Sequence, residues 1–313
     1  MDLEGLAAFR ASLAASGIDV VQPFDVRWYN EYIVSEGLPL KPLTTFGRKS
    51  GAVGVLVGNS KALWPAFLAW LAAQPRPGDV AEPLDTYVDA ALLQALACVD
   101  GKHDTVWPWE GGDRLCSMQR VAVCSALCYH DGETQLAIHP TFGSWIAFRA
   151  VVVFDAAPTA LKLPTKAPQR VGCLLSEEEK VAAREAMAAA LRASDEANLC
   201  TQLHGEKGME TDVRLAWAKL RDCVGVGREH RYSDEQLAYH YTKDKALLLR
   251  ALDEARGGTI WSRGKAWLGS LAEVLGTFAL PVALVLLVTW SSSGKRGLPG
   301  KPGDDTRLHS LAK

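Results

Sequence analysis

The chain has 313 residues, of which 48% are hydrophobic, and its formal net charge is −2. This length and composition allow a large buried core, either in one large domain or in two small ones. Because the charges nearly balance and no lysine-arginine cluster alternates with aromatic residues, the composition argues against nucleic-acid binding.

The seven cysteines are scattered along the chain and form no Cys-x-x-Cys pair. An odd, scattered set is typical of reduced thiols and favours neither a disulfide framework nor a zinc site. Cys124 and Cys128 are four residues apart among alanines, which favours packing on one helix face over metal ligation. Residues 1–4 include the acidic Asp2 and Glu4 and form no secretory signal, so we expect a cytoplasmic protein.

The hydrophobic pattern predicts an α+β domain. Apolar residues at helical spacing predict helices at residues 3–15, 85–99 and 114–129. Gly58-Asn59-Ser60 forms a predicted cap for a further helix that runs through Leu71. Short apolar runs predict strands at residues 51–57 and 105–107.

The second half of the body carries helix-start signals. After a proline-rich connector at residues 161–168, Ser176 with Glu179 forms a capping box that opens a long alanine-rich helix. Ser233 with Gln236 predicts the start of another helix.

An arginine lies inside an otherwise apolar segment at residues 145–154. We expect residues 134–154 to form a hairpin around a tight turn at residues 140–143, since proline fixes φ and glycine is conformationally permissive. Alternation places Trp145, Ala147 and Arg149 on one face of the second strand. Because charge is rarely buried without a partner, Arg149 predicts an anionic ligand or an acidic side chain opposite it. The alternative is an arginine at an exposed strand edge.

Residues 274–290 carry no charge and are bracketed by Trp267 and Trp290. The run approaches the length of a membrane-spanning helix, with tryptophans in the place of interfacial anchors. We therefore expect four regions: a body at 1–260, a linker at 261–273, a transmembrane anchor at 274–290 and a disordered tail at 291–313. The body would face the cytosol. The alternative is a hydrophobic helix packed on the domain.

Familiar catalytic motifs are absent from the sequence, which contains no G-x-S-x-G, no G-x-x-x-x-G-K-S/T and no G-x-G-x-x-G. Aromatic residues instead gather around positions 28, 107, 129, 145 and 232. Planar ligands bind in apolar cavities walled by such rings. The alternative is that these are ordinary core aromatics.

A family resemblance rests on three blocks. The run His139-Pro140-Thr141-Phe142-Gly143-Ser144-Trp145, with Arg149 four residues later, resembles the His-Pro-x-Phe-Gly-Gly-Trp-x-x-x-Arg segment of the cobalamin-processing CblC (MMACHC) family. The blocks Pro-Phe-Asp-Val-Arg-Trp-Tyr-Asn-Glu at 23–31 and Arg-Tyr-Ser-Asp-Glu-Gln-Leu-Ala-Tyr at 231–239 agree in order and spacing. The resemblance covers about residues 1–255.

This resemblance implies a modified flavin-nitroreductase scaffold and an enzyme and chaperone that binds cobalamin with its nucleotide base released. It implies reductive decyanation of cyanocobalamin with FMN or FAD, supplied as reduced flavin or by a flavin reductase, and glutathione-dependent dealkylation of alkylcobalamins. A downstream cobalamin-trafficking protein is an expected partner. The alternatives are a non-catalytic cobalamin carrier and a flavin nitroreductase-like oxidoreductase.

The resemblance also implies site residues, by position in this chain. The expected cobalamin contacts are His103, Arg114, Leu115, Cys116, Ser117, Cys128, Tyr129, His130, Ala137 and Phe148. Arg114 replaces an apolar family residue, and Val121 stands where the family has a histidine. Arg149 and Arg221 are the expected receptors of the glutathione carboxylates, because a guanidinium can clamp a carboxylate with two hydrogen bonds. A third basic contact near Lys245 or Arg250 is not placed. The catalytic residues are not identified, and the cobalt is carried by cobalamin rather than held by protein ligands.

Overall fold

The computed structural model describes residues 1–204 and 210–257. Contacts divide the chain into residues 1–249 and residues 250–313. The helices of the described residues are α1 (Leu3–Ala15), α2 (Val26–Ser35), α3 (Leu63–Ala72), α4 (Pro83–Leu96), α5 (Met118–Cys124), α6 (Glu177–His204), α7 (Glu210–Asp222), α8 (Asp234–Thr242) and α9 (Lys245–Gly257). The strands are β1 (Val20–Asp25), β2 (Val53–Asn59), β3 (His103–Val106), β4 (Tyr129–His130), β5 (Ala137–Ile138) and β6 (Ala147–Phe154).

The main sheet of the first unit has the order β1-β2-β6-β3, and every neighbouring pair is antiparallel. Successive side chains of a strand point to opposite faces. Val151 and Val153 accordingly pack in one core cluster with Val121 of α5, whereas Phe154 meets Phe9 of α1 edge to face, with ring centroids 5.8 Å apart. Helices therefore cover both faces of the sheet, which explains why β2 is buried along its whole length.

Several expected elements are confirmed. Helix α1 has the expected bounds, and the mixture of elements is α+β. In the first capping box, the Ser176 backbone N–H donates to Glu179 Oε2 at 2.8 Å, and the Glu179 N–H donates to Ser176 Oγ at 3.2 Å. At the second, the Gln236 N–H donates to Ser233 Oγ.

The expected hairpin at residues 134–154 is wrong in its pairing. Strand β5 pairs with β4, and β6 pairs with β2 and β3. Strand β6 is apolar on both faces, so it belongs in the middle of the main sheet, where neighbouring strands satisfy both of its edges. The tight turn does form, and it is closed by backbone hydrogen bonds between His139 and Gly143.

The expected helix at residues 114–129 is too long. Ser117 caps α5, the helix ends at Cys124, and Ala126 adopts a left-handed conformation with φ of +54°. Cys128 therefore lies beyond the helix and does not share a helical face with Cys124, although both thiols are buried. The sequence patterns also gave no prediction for β1 and α2, which occupy residues 20–35.

Within the part of the chain that the structure describes, no helix is both long enough and apolar enough to cross a membrane. The expected anchor at residues 274–290 and the expected tail at residues 291–313 lie outside the described residues.

Candidate functional site

Arg149 lies at a β-bulge between β2 and β6, near the start of β6. Val57 pairs with Ala150 and Gly58 pairs with Phe148, so Arg149 is the extra residue between them. A bulge interrupts the ladder and redirects the side chain of the extra residue. Gly58 is required here because a Cβ on it would lie 2.7 Å from the Ala147 carbonyl oxygen. Strand β3 pairs only with residues 151–154 of β6, so beside Arg149 the strand has β2 on one side, and the Arg149 side chain is half-buried there.

The Arg149 side chain has a neutral partner. Its Nε donates to Asn59 Oδ1 at 2.6 Å. Within the described residues it forms no ion pair and its two Nη atoms donate no hydrogen bond. Burial lowers the pKa of Arg149, and the interactions with Tyr232 and then with Asp85 oppose that shift. The half-buried guanidinium therefore keeps two donor groups for an acceptor that the described protein does not supply.

Arg221, on α7, is bound to the main chain of the segment that precedes β6. Its Nε donates to the Ser144 carbonyl oxygen at 2.9 Å, and its Nη2 donates to the same oxygen and to the Ile146 carbonyl oxygen. Its guanidinium also lies over the rings of Trp145 and Tyr232, at 4.6 and 4.9 Å from their centroids. Three of its donor directions are thus used inside the protein, in contrast to Arg149.

Further donors lie unsatisfied beside the two arginines. Trp145 is fully buried, and its indole Nε1–H has no hydrogen-bond partner in the described residues. The Tyr232 hydroxyl is buried and likewise makes no hydrogen bond of normal geometry, although it lies near enough to Arg221 to raise the pKa of that group. Unsatisfied buried donors are costly. A region that holds two cations and unused donors can accept an anion.

A cleft of about 510 Å³ opens beside this region, with an apolar wall. Its lining includes Ser60, which follows Asn59, together with Trp64, Phe142 and Gln236. The Trp64 ring packs against Tyr239, with centroids 5.7 Å apart, and Tyr239 is one of the groups whose charge acts on Arg149.

Arg114, the first of the expected cobalamin contacts, is already engaged. It pairs with Glu110 at 2.7 Å and with Asp104 at 3.1 Å, and it donates to the Thr105 carbonyl oxygen at 2.6 Å. These partners raise the pKa of Arg114, with the Glu110 hydrogen bond as the largest cause. A cleft of about 230 Å³ lies beside it, also lined by Cys116.

Four of the expected contacts meet in one apolar cluster. Cys116 and Cys128 are buried there, and Ala137 and Phe148 pack against them. Ser117 stands at the edge of this cluster, where its backbone N–H donates to the hydroxyl of the buried Tyr29 at 3.3 Å. Leu115 precedes these residues, and its carbonyl oxygen accepts from the Lys41 N–H.

The small β4–β5 ladder brings two further expected residues, Tyr129 and His130, next to Ala137, because His130 pairs with Ala137. Arg120 of α5 reaches His130 Nδ1 at 3.3 Å. An arginine can only donate, so Nδ1 accepts and the neutral ring carries its proton on Nε2, which is buried without a partner in the described residues. Burial, followed by the charge of Arg120, lowers the pKa of His130 to about 4.

His103 lies apart from the other expected contacts. It pairs with Phe154 at one end of β6, whereas Phe148 lies near the other end. At about 3.3 Å per residue, the six residue steps from Phe148 to Phe154 span roughly 20 Å. The structure therefore does not bring His103 into the apolar cluster.

The buried thiols are poorly suited to act as nucleophiles. Burial raises the pKa of Cys116 and of Cys124 to about 12 and raises that of Cys128 further, so these thiols stay protonated near neutral pH. Within residues 1–204 and 210–257, no three His, Cys, Asp or Glu side chains group as metal ligands. A nucleophilic thiol at this site would have to come with a ligand.

Sequence reasoning missed Asn59 and Arg120 as site residues. The sequence places Asn59 in a predicted helix cap after an apolar run, and neither feature indicates that it meets Arg149, 90 residues later. Arg120 follows the Ser117 cap by three residues, and a polar residue on a predicted helix could have been read as facing the neighbouring ladder.

Comparisons with known proteins bear on the fold and on the sequence of the chain. No family model matches the chain. The fold is that of a CblC protein: the crystal structure of a C. elegans B12-trafficking protein CblC, a human MMACHC homologue, aligns with a TM-score of 0.55 and 16% identity over 78% of this chain and 94% of that chain.

A curated sequence gives the more particular match. The cyanocobalamin reductase / alkylcobalamin dealkylase of Danio rerio is 25% identical over 260 residues, which is 76% of this chain and 88% of that protein. The resemblance to the CblC (MMACHC) family that the three sequence blocks predicted is thereby confirmed.

Proposed function

We propose that this protein binds cobalamins and removes their upper axial ligand, by reductive decyanation of cyanocobalamin and by dealkylation of alkylcobalamins. The observation that carries the proposal is the 25% identity with the Danio rerio enzyme across three-quarters of this chain. The CblC-type fold and the three matched sequence blocks support it.

The cobalamin site is proposed around the apolar cluster that contains Cys116, Cys128, Ala137 and Phe148, with Tyr129 and His130 on the adjoining ladder. Apolar and aromatic walls suit a wide planar ring, and a few polar groups set its orientation. Arg114, Leu115 and Ser117 remain proposed contacts on the α5 side, and His103 remains a proposed contact at the far end of β6. The protein residues bind and orient the substrate here, since burial keeps the Cys116 and Cys128 thiols of this cluster protonated.

Glutathione is proposed as the thiol for dealkylation. Its sulfur would bond to the alkyl carbon as the cobalt–carbon bond breaks, leaving the electron pair on cobalt. Arg149 is the proposed receptor for one carboxylate, because only its Nε is engaged by the described protein and its two Nη atoms are unused donors. Arg221 is the proposed second basic residue, with the added task of holding residues 144–146 in place.

Reduced FMN or FAD is proposed to supply the electrons for decyanation, either free or delivered by a flavin reductase. The α+β fold with helices on both sheet faces is compatible with a modified nitroreductase-like scaffold. We assign the flavin no residues, because the sequence has no glycine-rich phosphate-binding motif. A downstream protein that receives the processed cobalamin completes the proposal.

The deciding experiment is the visible spectrum of hydroxocobalamin with the full-length protein. A shift to the base-off form is expected, and an unchanged spectrum at saturating protein would refute cobalamin binding. Cyanocobalamin with reduced flavin and methylcobalamin with glutathione then test the two reactions. Binding without either reaction would identify a carrier instead of an enzyme, and flavin oxidation without any cobalamin response would identify a nitroreductase-like oxidoreductase.

The regional boundaries and the membrane anchor are part of the same proposal: a cytoplasmic body at residues 1–260, a linker at 261–273, an anchor at 274–290 and a disordered tail at 291–313. Deletion after Arg263 is expected to release the protein from membranes and to leave cobalamin binding intact. Leu284→Arg is a finer test, because a charge near the centre of a spanning helix costs roughly 2.5 to 3.5 kcal/mol of insertion free energy. A full-length protein recovered without detergent in the supernatant would refute the anchor.

A further inference from the structure

Asn59 is the last residue of β2 and is fully buried. Its Oδ1 accepts from Arg149 Nε at 2.6 Å, and its Nδ2 donates to the Ser60 carbonyl oxygen at 2.7 Å. Arginine can only donate and a carbonyl oxygen can only accept. Both partners therefore fix the same orientation of the amide, with oxygen towards the guanidinium.

The segment that carries Asn59 is itself held from both sides. Ser60 donates to the Asp19 carboxylate through its backbone N–H at 2.7 Å and through its Oγ at 2.6 Å. On the strand side, Gly58 packs against the Ala147 carbonyl oxygen at the bulge. A side chain fixed by such neighbours can define the position of another group more tightly than a mobile one.

The neutral amide of Asn59 is a suitable partner for Arg149 if the Arg149 guanidinium is to bind an external anion. A carboxylate at this position would form an ion pair with Arg149 and cancel its charge, whereas an apolar residue would leave Nε without an acceptor. The amide accepts one hydrogen bond from Arg149 and leaves the charge and the two Nη atoms of Arg149 available to an external anion. The charges that act on Arg149 from other elements are those of Asp85, Arg221, Tyr232 and Tyr239, and none of them forms an ion pair with it in the described residues.

We propose that Asn59 is the positioning residue of the carboxylate site: its neutral amide orients Arg149 and preserves its charge, so that the site selects anionic thiols. This inference rests on the proposed function, because it names the group that makes Arg149 available to glutathione. Asn59 acts through Arg149 and does not touch the substrate.

The test compares full-length wild type with Asn59→Asp, using methylcobalamin with glutathione and, separately, with the uncharged thiol 2-mercaptoethanol. The added carboxylate is expected to pair with Arg149 and to raise KM for glutathione on the order of tenfold, the size of one lost charge-assisted hydrogen bond. The glutathione kcat and the rate with 2-mercaptoethanol are expected to stay close to wild type. Gln74→Glu, the same amide-to-carboxylate change just after α3, is expected to leave both thiol reactions unchanged.

A second variant covers the case in which Asn59→Asp does not fold. Asn59→Ala keeps the charge of Arg149 but removes its acceptor, so KM for glutathione should rise severalfold with no change for 2-mercaptoethanol. A purely structural role of Asn59 would instead slow both thiols together or leave both unchanged, and either result would overturn the inference.

Calorimetry with glutathione and the cobalamin-free protein separates the two proposals. If wild type binds glutathione and Asn59→Asp binds it equally well, this inference fails while the proposed function stands. If wild type shows no glutathione binding and no preference for glutathione over 2-mercaptoethanol, the carboxylate site of the proposed function fails and the inference fails with it. Weaker binding by Asn59→Asp together with wild-type base-off cobalamin spectra supports both.

Discussion

Gly143 and Gly227 lie backbone against backbone. Both adopt left-handed conformations, with φ of +58° and +74°. A Cβ on Gly143 would collide with the Val226 carbonyl oxygen, and a Cβ on Gly227 would collide with main-chain atoms of residues 142 and 143. This contact joins the turn that leads to Arg149 with the segment that leads to Tyr232, and it accounts for the glycine in the matched block.

Gly143→Ala is expected to lower the free energy of unfolding by about 2 to 4 kcal/mol, since it combines left-handed strain with a main-chain collision. Thermal unfolding followed by circular dichroism measures the change. Gly132→Ala is the matched control, because Gly132 has open space around its Cβ position and no positive φ. Equal melting temperatures for Gly143→Ala and wild type would contradict the packing described above.

Arg149→Ala is expected to weaken glutathione-dependent dealkylation on the order of tenfold, through loss of a charge-assisted pair with a carboxylate. Flavin-driven decyanation and the base-off spectrum should change much less, because neither involves the thiol. Steady-state rates of both reactions on the same preparation give the comparison.

Arg149→Lys should restore part of the lost activity, since an ammonium group keeps the charge but cannot reproduce the planar fork. An equal loss of both reactions in Arg149→Ala, with cobalamin still bound, would place Arg149 in the cobalamin site or in a structural role.

Arg221→Ala should behave differently from Arg149→Ala. Removing its guanidinium leaves the Ser144 and Ile146 carbonyl oxygens without these donors and takes a cation from the Trp145 and Tyr232 rings. The expected cost is on the order of 3 kcal/mol of unfolding free energy, measured by urea denaturation. A variant as stable as wild type that has lost glutathione binding alone would show that Arg221 serves mainly as a ligand contact.

The comparison of Arg149 with Asn59 illustrates what the sequence can predict. A charged residue in an apolar run was enough to mark Arg149 as a candidate site residue, and the capping boxes at Ser176 and Ser233 follow from local spacing alone. The bulge at Arg149 depends on the register between β2 and β6, strands almost 90 residues apart. Long-range pairing of that kind leaves no periodic signal in the sequence.

The same limit explains the wrong hairpin and the overlong helix. Residues 134–154 contain a true turn, but which strands pair across it depends on burial of β6 in the main sheet. Helix α5 stops at Cys124 because the chain must turn into β4, and Ala126 takes a conformation that its sequence does not favour. Tertiary packing outweighed local preference at both places.

The last prediction concerns His130 and the pH dependence of stability. Burial lowers its pKa from 6.5 to about 4, so the unfolded chain binds a proton at this residue at a higher pH than the folded protein does. Stability from this residue is therefore fully present above pH 6.5 and is lost as the pH falls towards 4. His130→Gln cannot titrate. Relative to that variant, the free energy of unfolding of wild type should fall by on the order of 1 to 2 kcal/mol more between pH 7.5 and pH 4.5. This figure allows for the partial exposure of His130.

Urea unfolding of both proteins at several pH values in this range measures the difference. Burial also lowers the pKa of His139, but that residue is present in both proteins and its effect cancels in the comparison. Adding Arg120→Gln to both proteins should make their pH-dependent losses of unfolding free energy more alike, because the charge of Arg120 helps to keep His130 neutral. If wild type and His130→Gln instead lose stability in parallel as the pH falls, His130 is not held as the neutral, Nε2-protonated donor that its contact with Arg120 requires.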